Sequence, residues 1–287
     1  MGGAERNARK KRQQAQGTGQ NTPRRNTPGQ NTAVAAARKS ADRKRIVVGV
    51  GVVVVLAIAV VGGLLIYNNQ KNATEGKDIQ VANPETTQQS TASADYPVRR
   101  DGGIVVVGSD EAKVTLDVYE DFLCPACRQF EETFGPDIEE HVADGTVQVR
   151  YHMLPMLNDR SDPPGYSMDS ANAGLCAADA GRFPAFHKTL FSDQQPEEGS
   201  RGWDRQQLAK LGIDLGITDD DFTTCVTSGK YEDLVQKNFD EVKAAPYLQQ
   251  EFPDGAKGFG TPTIASGEKV VDTAKADWLD QLVKSAD

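Results

Sequence analysis

The sequence predicts an α/β domain whose sheet is interrupted by a helical block, preceded by a single N-terminal transmembrane helix. Three observations predict it. Ile46 to Tyr67 is a run of 22 residues without a charge, made of Ile, Val, Leu, Ala, Gly and a final Tyr. Short runs with β patterning at residues 104–107, 114–119 and 147–152 are joined by one turn and one helix-patterned stretch. Residues 162–245 then carry helix patterning throughout, and strand character returns only at Pro262–Ala265 and Lys269–Val271.

Charge divides the chain as sharply as hydropathy does. Residues 1–45 hold twelve Lys and Arg against two acids, Glu5 and Asp42, for a net of +10. The apolar run holds none, so the formal net charge of −9 leaves −19 for residues 68–287. Residues 1–45 are nearly empty of large apolar side chains and cannot bury enough surface to offset the entropy of ordering, so they predict a disordered basic tail. Beside an apolar span such a tail reads as topogenic and lipid-contacting, and no nucleic-acid partner is expected. At ~1.5 Å per residue the run 46–67 reaches roughly 33 Å, enough for a hydrocarbon core of about 30 Å. It is longer than the apolar region of a cleaved signal peptide, and the first Ala-x-Ala, Ala92-Ser93-Ala94, lies well past its end, so it predicts a retained anchor. Arg43-Lys44-Arg45 abuts its N-terminal side, which puts the tail in the cytoplasm and everything after Tyr67 outside.

Residues 68–97 are polar and of low complexity and predict a flexible tether. Residues 98–287 are the length of one domain. Ile104–Val107 is its first predicted strand, Gly108-Ser109-Asp110-Glu111 a turn, and Val114–Tyr119 a buried strand. A helix is expected from about Cys124 to Val142, with Phe130 and Phe134 on one face, and an alternating strand over Val147–His152. Asp162-Pro163-Pro164-Gly165 breaks the pattern. Helices are then expected over Ser170–Ala180, Phe183–Phe191, Trp203–Leu211 and Tyr231–Ala244, and a closing helix over Ala276–Val283. A sheet split by a helical block makes one domain with an insertion, at about 162–245.

The chemistry centres on Cys124-Pro125-Ala126-Cys127, set between a strand and a helix. That context places the first sulfur at a helix N-terminus, where unpaired N–H groups and the positive end of the helix dipole favour thiolate over thiol. Two intervening residues keep the sulfurs close enough to cycle between dithiol and disulfide. Two other readings of a C-x-x-C stay open: half of a zinc site, and an inert disulfide. The first usually brings a second C-x-x-C or paired histidines, absent from this sequence, and the second closes too short a loop to constrain the unfolded chain much. The remaining cysteines, Cys176 and Cys225, fall in the helical block; outside a membrane a disulfide between them is the economical reading, and two buried apolar thiols the alternative. No metal site is expected. His141 and His152 lack a partner motif, and His187, among Phe183, Phe186 and Phe191, reads as a packing residue. No phosphate-binding loop, zinc-protease helix or serine nucleophile elbow is present.

Gly108-Ser109-Asp110, the run Val-Thr-Leu-Asp-Val-Tyr-Glu-Asp-Phe-Leu-Cys-Pro-Ala-Cys ending at Cys127, a helical insertion, and Gly260-Thr261-Pro262-Thr263 together resemble a DsbA-family thioredoxin-fold protein, in its membrane-anchored actinobacterial form. The resemblance covers about residues 98–287. It implies a protein thiol:disulfide oxidoreductase acting on exported cysteine-containing clients, with no cofactor beyond the Cys124–Cys127 disulfide. Cys124 would be the nucleophile that carries the mixed disulfide and Cys127 the resolving thiol. Pro262 would be a cis-proline facing them, and Thr261 would offer backbone pairing to a client strand. Asp121 matches an acid common in this branch, and Glu120 or Asp121 would assist proton transfer to Cys127. Such oxidases are recharged by a quinone-linked membrane partner, DsbB or a vitamin K epoxide reductase-like protein. One departure stands out: the strongest oxidants of the family carry histidine where this chain has Ala126. Without an imidazolium the pair is expected to be less oxidising. A reductase or isomerase, for example one serving cytochrome c maturation, shares every motif. A peptide-binding module merely braced by the disulfide is the reading from another class.

Overall fold

The computed structural model describes residues 61–81, 96–192, 195–252 and 255–286. The basic tail, residues 46–60 of the apolar run and residues 82–95 of the predicted tether lie outside the described residues. Residues 61–71 are helical, and among the described residues no helix is long and apolar enough to cross a membrane.

The domain is built on a six-stranded sheet in the order β1-β2-β4-β3-β7-β8. β1 (Val98–Asp101) and β2 (Ile104–Val107) form a hairpin whose turn uses Gly102 at φ 58°. β3 (Val114–Glu120) and β4 (Val147–Met153) run parallel, with Val114 opposite Val147 and Glu120 opposite Met153. Helix α1 (Pro125–Ala143) makes the crossover between them, as a parallel pair requires. β7 (Thr263–Ser266) pairs antiparallel to β3, bringing the chain's last third back beside the strand that delivers the C-x-x-C. β8 (Lys269–Val270) closes the edge, and α7 (Trp278–Ser285) follows.

Between β4 and β7 lies the insertion: α2 (Tyr166–Asp179), α3 (Phe183–Phe191), α4 (Arg205–Asp214), α5 (Asp220–Ser228) and α6 (Glu232–Ala244), then a small hairpin of β5 (Gln250–Glu251) and β6 (Lys257–Gly258). The β5–β6 hairpin lies where no strand was expected, and three further elements differ from the sequence expectation. β1 was not expected, because Val98-Arg99-Arg100-Asp101 is a charged edge strand without apolar alternation. α5 is nine residues long and marked only by its caps, an Asp219 side chain at the start and Gly229 at φ 68° at the end. α2 starts at Tyr166, one turn before the predicted start, directly after Gly165 at φ 132°.

The period of two along β3 decides what reaches the site. Leu116 and Val118 face the large core shared with α1 and the insertion, whereas Tyr119 faces a smaller cluster with Leu154, Val242, Leu248 and Ala265. Glu120, next in the series of Leu116 and Val118, therefore points into the large core beside α1 and α3. Asp117, on the opposite face, accepts from His152, 3.0 Å away, whose other ring nitrogen lies 3.0 Å from Asn238.

The predicted free tether over 68–97 needs correction for its first half. Ile79 is 3 % exposed and Thr74 4 %, and Thr74 Oγ1 donates to the Gly202 carbonyl at 2.6 Å. Residues 68–81 are docked on the insertion mostly through polar groups. Hydropathy cannot report such contacts, since Ile79 and Val81 are the segment's only large aliphatic residues.

Candidate active site

Cys124 is the residue preceding α1, in extended backbone geometry (φ −75°, ψ 116°), with Pro125 as the first helical residue. Proline there supplies a preset φ and lacks only an N–H that the first turn would leave unpaired. The turn into the helix is closed by the Cys124 N–H donating to the Asp121 carbonyl at 2.9 Å. Both cysteines are free thiols; Cys124 is 6 % exposed and Cys127 fully buried. Cys124 Sγ donates to the Thr261 carbonyl at 3.5 Å, and Thr261–Pro262 is a cis peptide. Two segments 137 positions apart thus meet at one sulfur.

The two thiols are driven apart in acidity. Cys124 is held down to about 6, first by the hydrogen bond it receives from the Cys127 thiol, then by the Thr261 side chain and the N–H groups of Cys127 and Ala126 at the helix start. Cys127 is pushed well above the usual thiol range, first by burial, then by donating to Cys124 and by the nearby charge of Glu120.

Beneath the pair sits a group that the sequence did not assemble. Glu120 is fully buried, and its Oε2 lies 2.9 Å from His187 Nε2. The carboxyl of Glu131, from α1, lies against that of Glu120, and His187 Nδ1 is 4.0 Å from it. Burial pushes Glu120 up to about 8, and burial reinforced by the Glu120 charge pushes Glu131 well above the carboxylate range. Burial also lowers His187. Burial, and for Glu131 the neighbouring charge of Glu120, thus disfavours the ionised form of both carboxyls. His187 is therefore more than the packing residue that its three phenylalanines suggested. It packs between Phe183 and Phe191 and also holds Glu120.

Glu120, Glu131 and His187 offer ligand atoms within 4.8 Å of one another. Nε2 of His187 lies 2.9 Å from Glu120, and Nδ1 lies 4.0 Å from Glu131.

Asp121 has a different task. Its Oδ1 accepts from the Leu123 N–H at 2.8 Å and from Ser167 Oγ at 2.7 Å, and its Oδ2 accepts from the Leu157 N–H at 2.7 Å. Burial raises it to about 6 against the pull of those donors. With its oxygens committed to three protein donors, Asp121 fastens the C-x-x-C turn to the 154–157 segment and to α2.

Around Cys124 the rim is apolar. Met156 and Phe252 are 36 % and 38 % exposed; Thr261 Oγ1 contacts Met156 Sδ at 3.8 Å, and a Cβ at Gly260 would lie 3.2 Å from the Phe252 ring. Away from this rim, Cys176 and Cys225 form a disulfide joining α2 to α5.

Comparison with known proteins agrees with this geometry. The family model described as thioredoxin matches residues 100–285. The chain is 33% identical over 185 residues to the serine/threonine-protein kinase PknE of Mycobacterium tuberculosis, a match covering 62% of this chain and 31% of that protein. The chain thus spans about a third of the length of that curated relative. Among solved structures it is 29% identical to an oxidised DsbA of Mycobacterium tuberculosis, with TM-score 0.53 and coverage of 67% of this chain and 92% of the other. It is 25% identical to MdbA, a thiol-disulfide oxidoreductase from Corynebacterium matruchotii, with TM-score 0.53 and coverage of 69% and 99%. With the C-x-x-C, the cis-proline and the helical insertion in place, this chain belongs to the thioredoxin family, in its DsbA branch of thiol:disulfide oxidoreductases.

Proposed function

We propose that the chain is a membrane-tethered, extracytoplasmic enzyme that forms disulfides in exported proteins through Cys124 and Cys127. The observation that carries this reading is the asymmetry of the pair: one thiol held near 6 at a helix start, the other buried and pushed well up. Stabilising the Cys124 thiolate stabilises the reduced dithiol, which makes the disulfide form a stronger oxidant. A client thiolate attacks Cys124 Sγ of the disulfide, and the S–S bond breaks with its electron pair leaving on Cys127. Glu120 supplies the proton that the buried Cys127 requires. A second client thiolate then attacks the client sulfur of the mixed disulfide and expels Cys124 as thiolate. Two electrons have passed from client to enzyme, and a quinone-linked membrane partner, DsbB or a vitamin K epoxide reductase-like protein, takes them away. The exposed Met156 and Phe252 and the Thr261 backbone suit an extended client segment lying across Cys124.

The apolar run 46–67, with Arg43-Lys44-Arg45 before it, supports an anchor with the domain outside. Ala126, which supplies no imidazolium, favours a milder potential and keeps a reductase as the second reading. The test is the reduction potential of the full chain in glutathione buffer, together with oxidation of a reduced client. A value of about −120 to −200 mV with client oxidation supports the oxidase. A value near about −270 mV turns the reading to a reductase, and no reversible titration would leave a binding module.

A further inference from the structure

The docked segment 68–81 and the nucleophile are fastened to the same loop. On one side, the loop's Arg201 N–H donates to the Gln70 carbonyl at 2.9 Å, and just beyond the loop, on α4, Gln207 Nε2 donates to the carbonyls of Thr74 and Lys77 at 2.6 and 2.7 Å. Thr74 is tied to Gly202 of the loop, and Lys210 of α4 pairs with Asp78 at 3.6 Å. On the other side, Gln195 Nε2 donates to the carbonyls of Phe122 at 2.9 Å and Cys124 at 3.2 Å. Between these attachments the loop is pinned: Ser200 is 3 % exposed, its carbonyl accepts from the Asp162 N–H at 2.9 Å, and Trp203 is 5 % exposed. Asn69, Thr74 and Lys77 face Gln195, Glu197 and Trp203 across a cavity of about 320 Å³.

Gln195 acts where the chemistry is sensitive. The Cys124 carbonyl belongs to the peptide that joins the nucleophile to Pro125, which has no N–H of its own to fix that plane. Its other acceptor role is to the Arg128 N–H, at 3.2 Å, in the first helical turn. Holding this peptide fixes how Sγ faces the N–H groups of Ala126 and Cys127, and so how well they stabilise a thiolate.

We propose that residues 68–81 are part of the active-site support: by docking the 195–203 loop they hold Gln195 on the Cys124 carbonyl, and Gln195 is a positioning residue for the nucleophile. Coupling of this kind is reciprocal, so the redox state of the pair also biases the docking of the segment that leads back to the apolar run. The inference rests on Cys124 as the nucleophile, and it is read on Cys124 without a client.

The experiment uses the full chain in detergent. Gln195→Ala, Ile79→Asp and the double variant are reduced, and two quantities are followed: alkylation of Cys124 by iodoacetamide across pH 5–8, and thiolate absorbance at 240 nm. Each single variant is expected to raise the thiolate midpoint and slow alkylation at pH 6 on the order of tenfold, and the double variant is expected to be no slower than the worse single. Gln195→Glu should raise the midpoint further, because a carboxylate then faces the thiolate's surroundings. If Ile79→Asp does not fold, Thr74→Val takes its place, since it removes the Gly202 hydrogen bond while keeping the shape of the side chain. An undocked segment with an unchanged midpoint, or two effects that multiply in the double variant, would overturn the proposal. Loss of client oxidation with the Gln195 effect intact would instead count against the oxidase reading alone.

Discussion

Glu120→Gln is expected to make the reduced protein more stable and a poorer catalyst. The folded protein raises Glu120 from 4.5 to about 8, chiefly by burial. Between those pH values the folded state holds a proton that the unfolded chain has released, so stability falls as pH rises. The contribution is intact below 4.5 and is lost progressively up to the folded value near 8, where the burial penalty is complete. At about 1.4 kcal/mol per pH unit, the penalty is about 3 kcal/mol at pH 7 and approaches about 5 kcal/mol above pH 8. Glutamine keeps the shape and can donate to His187 Nε2, now 2.9 Å from Glu120 Oε2, but has no proton to retain. The variant should therefore melt about 6–12 °C higher at pH 7, given roughly 2–4 °C per kcal/mol for a domain of this size. The gain should grow at pH 8.5 and vanish at pH 4.5. Thermal unfolding of the reduced full chain at the three pH values measures it, alongside a thiol-exchange assay in which the step that protonates Cys127 slows by about 10²-fold. A melting temperature that is unchanged or lower at pH 7, or a gain independent of pH, would refute the reasoning, because burial of an ionisable carboxyl would then not be the cause of the shift.

Three further outcomes follow from the site. Cys127→Ser should accumulate a mixed disulfide with a reduced client through Cys124, visible on a non-reducing gel, while Cys124→Ser should trap none at that position. Ala126→His places an imidazole at an exposed site beside the helix start and should raise the reduction potential of the pair, read in glutathione buffer; an unchanged value would remove thiolate stabilisation as the control on its oxidising power. Replacing both Cys176 and Cys225 by alanine opens a closure spanning a sequence separation of 49, which the chain-entropy model puts at roughly 4 kcal/mol. That variant should unfold at lower urea yet retain thiol exchange at low temperature, since the disulfide lies on α2 and α5 away from the reacting sulfurs.

The C-x-x-C, its strand and helix, and the proline opening the later strand were legible because each is local: a spacing, an apolar run, a residue that cannot donate. The pairing of Glu120 with His187 was not, since it depends on α3 folding back on β3 across 67 positions, and three neighbouring phenylalanines gave His187 a sufficient reason to be buried. Glu131 lay one turn beyond Arg128 in a helix for which the sequence marked only the face of Phe130 and Phe134. The roles of Glu120 and Asp121 could not be separated from sequence either. They are adjacent, and only the alternation of β3 sends one into the core while the turn after it hands the other to three donors. Gln195 and Ile79 carried no signal at all, because a single amide and a single isoleucine in polar surroundings have no period.

The docking of residues 68–81 also changes what a cut in the chain would mean. Residues 82–95 connect two stretches that are each fastened to the same domain, one through Thr74 and Ile79 and the other through β1. Cleavage within 82–95 therefore severs the polypeptide while buried contacts and hydrogen bonds continue to hold its two pieces together. A protease that nicks there should yield two bands under denaturing conditions and one particle under native ones, with the C-x-x-C domain still riding on the segment that follows the apolar run.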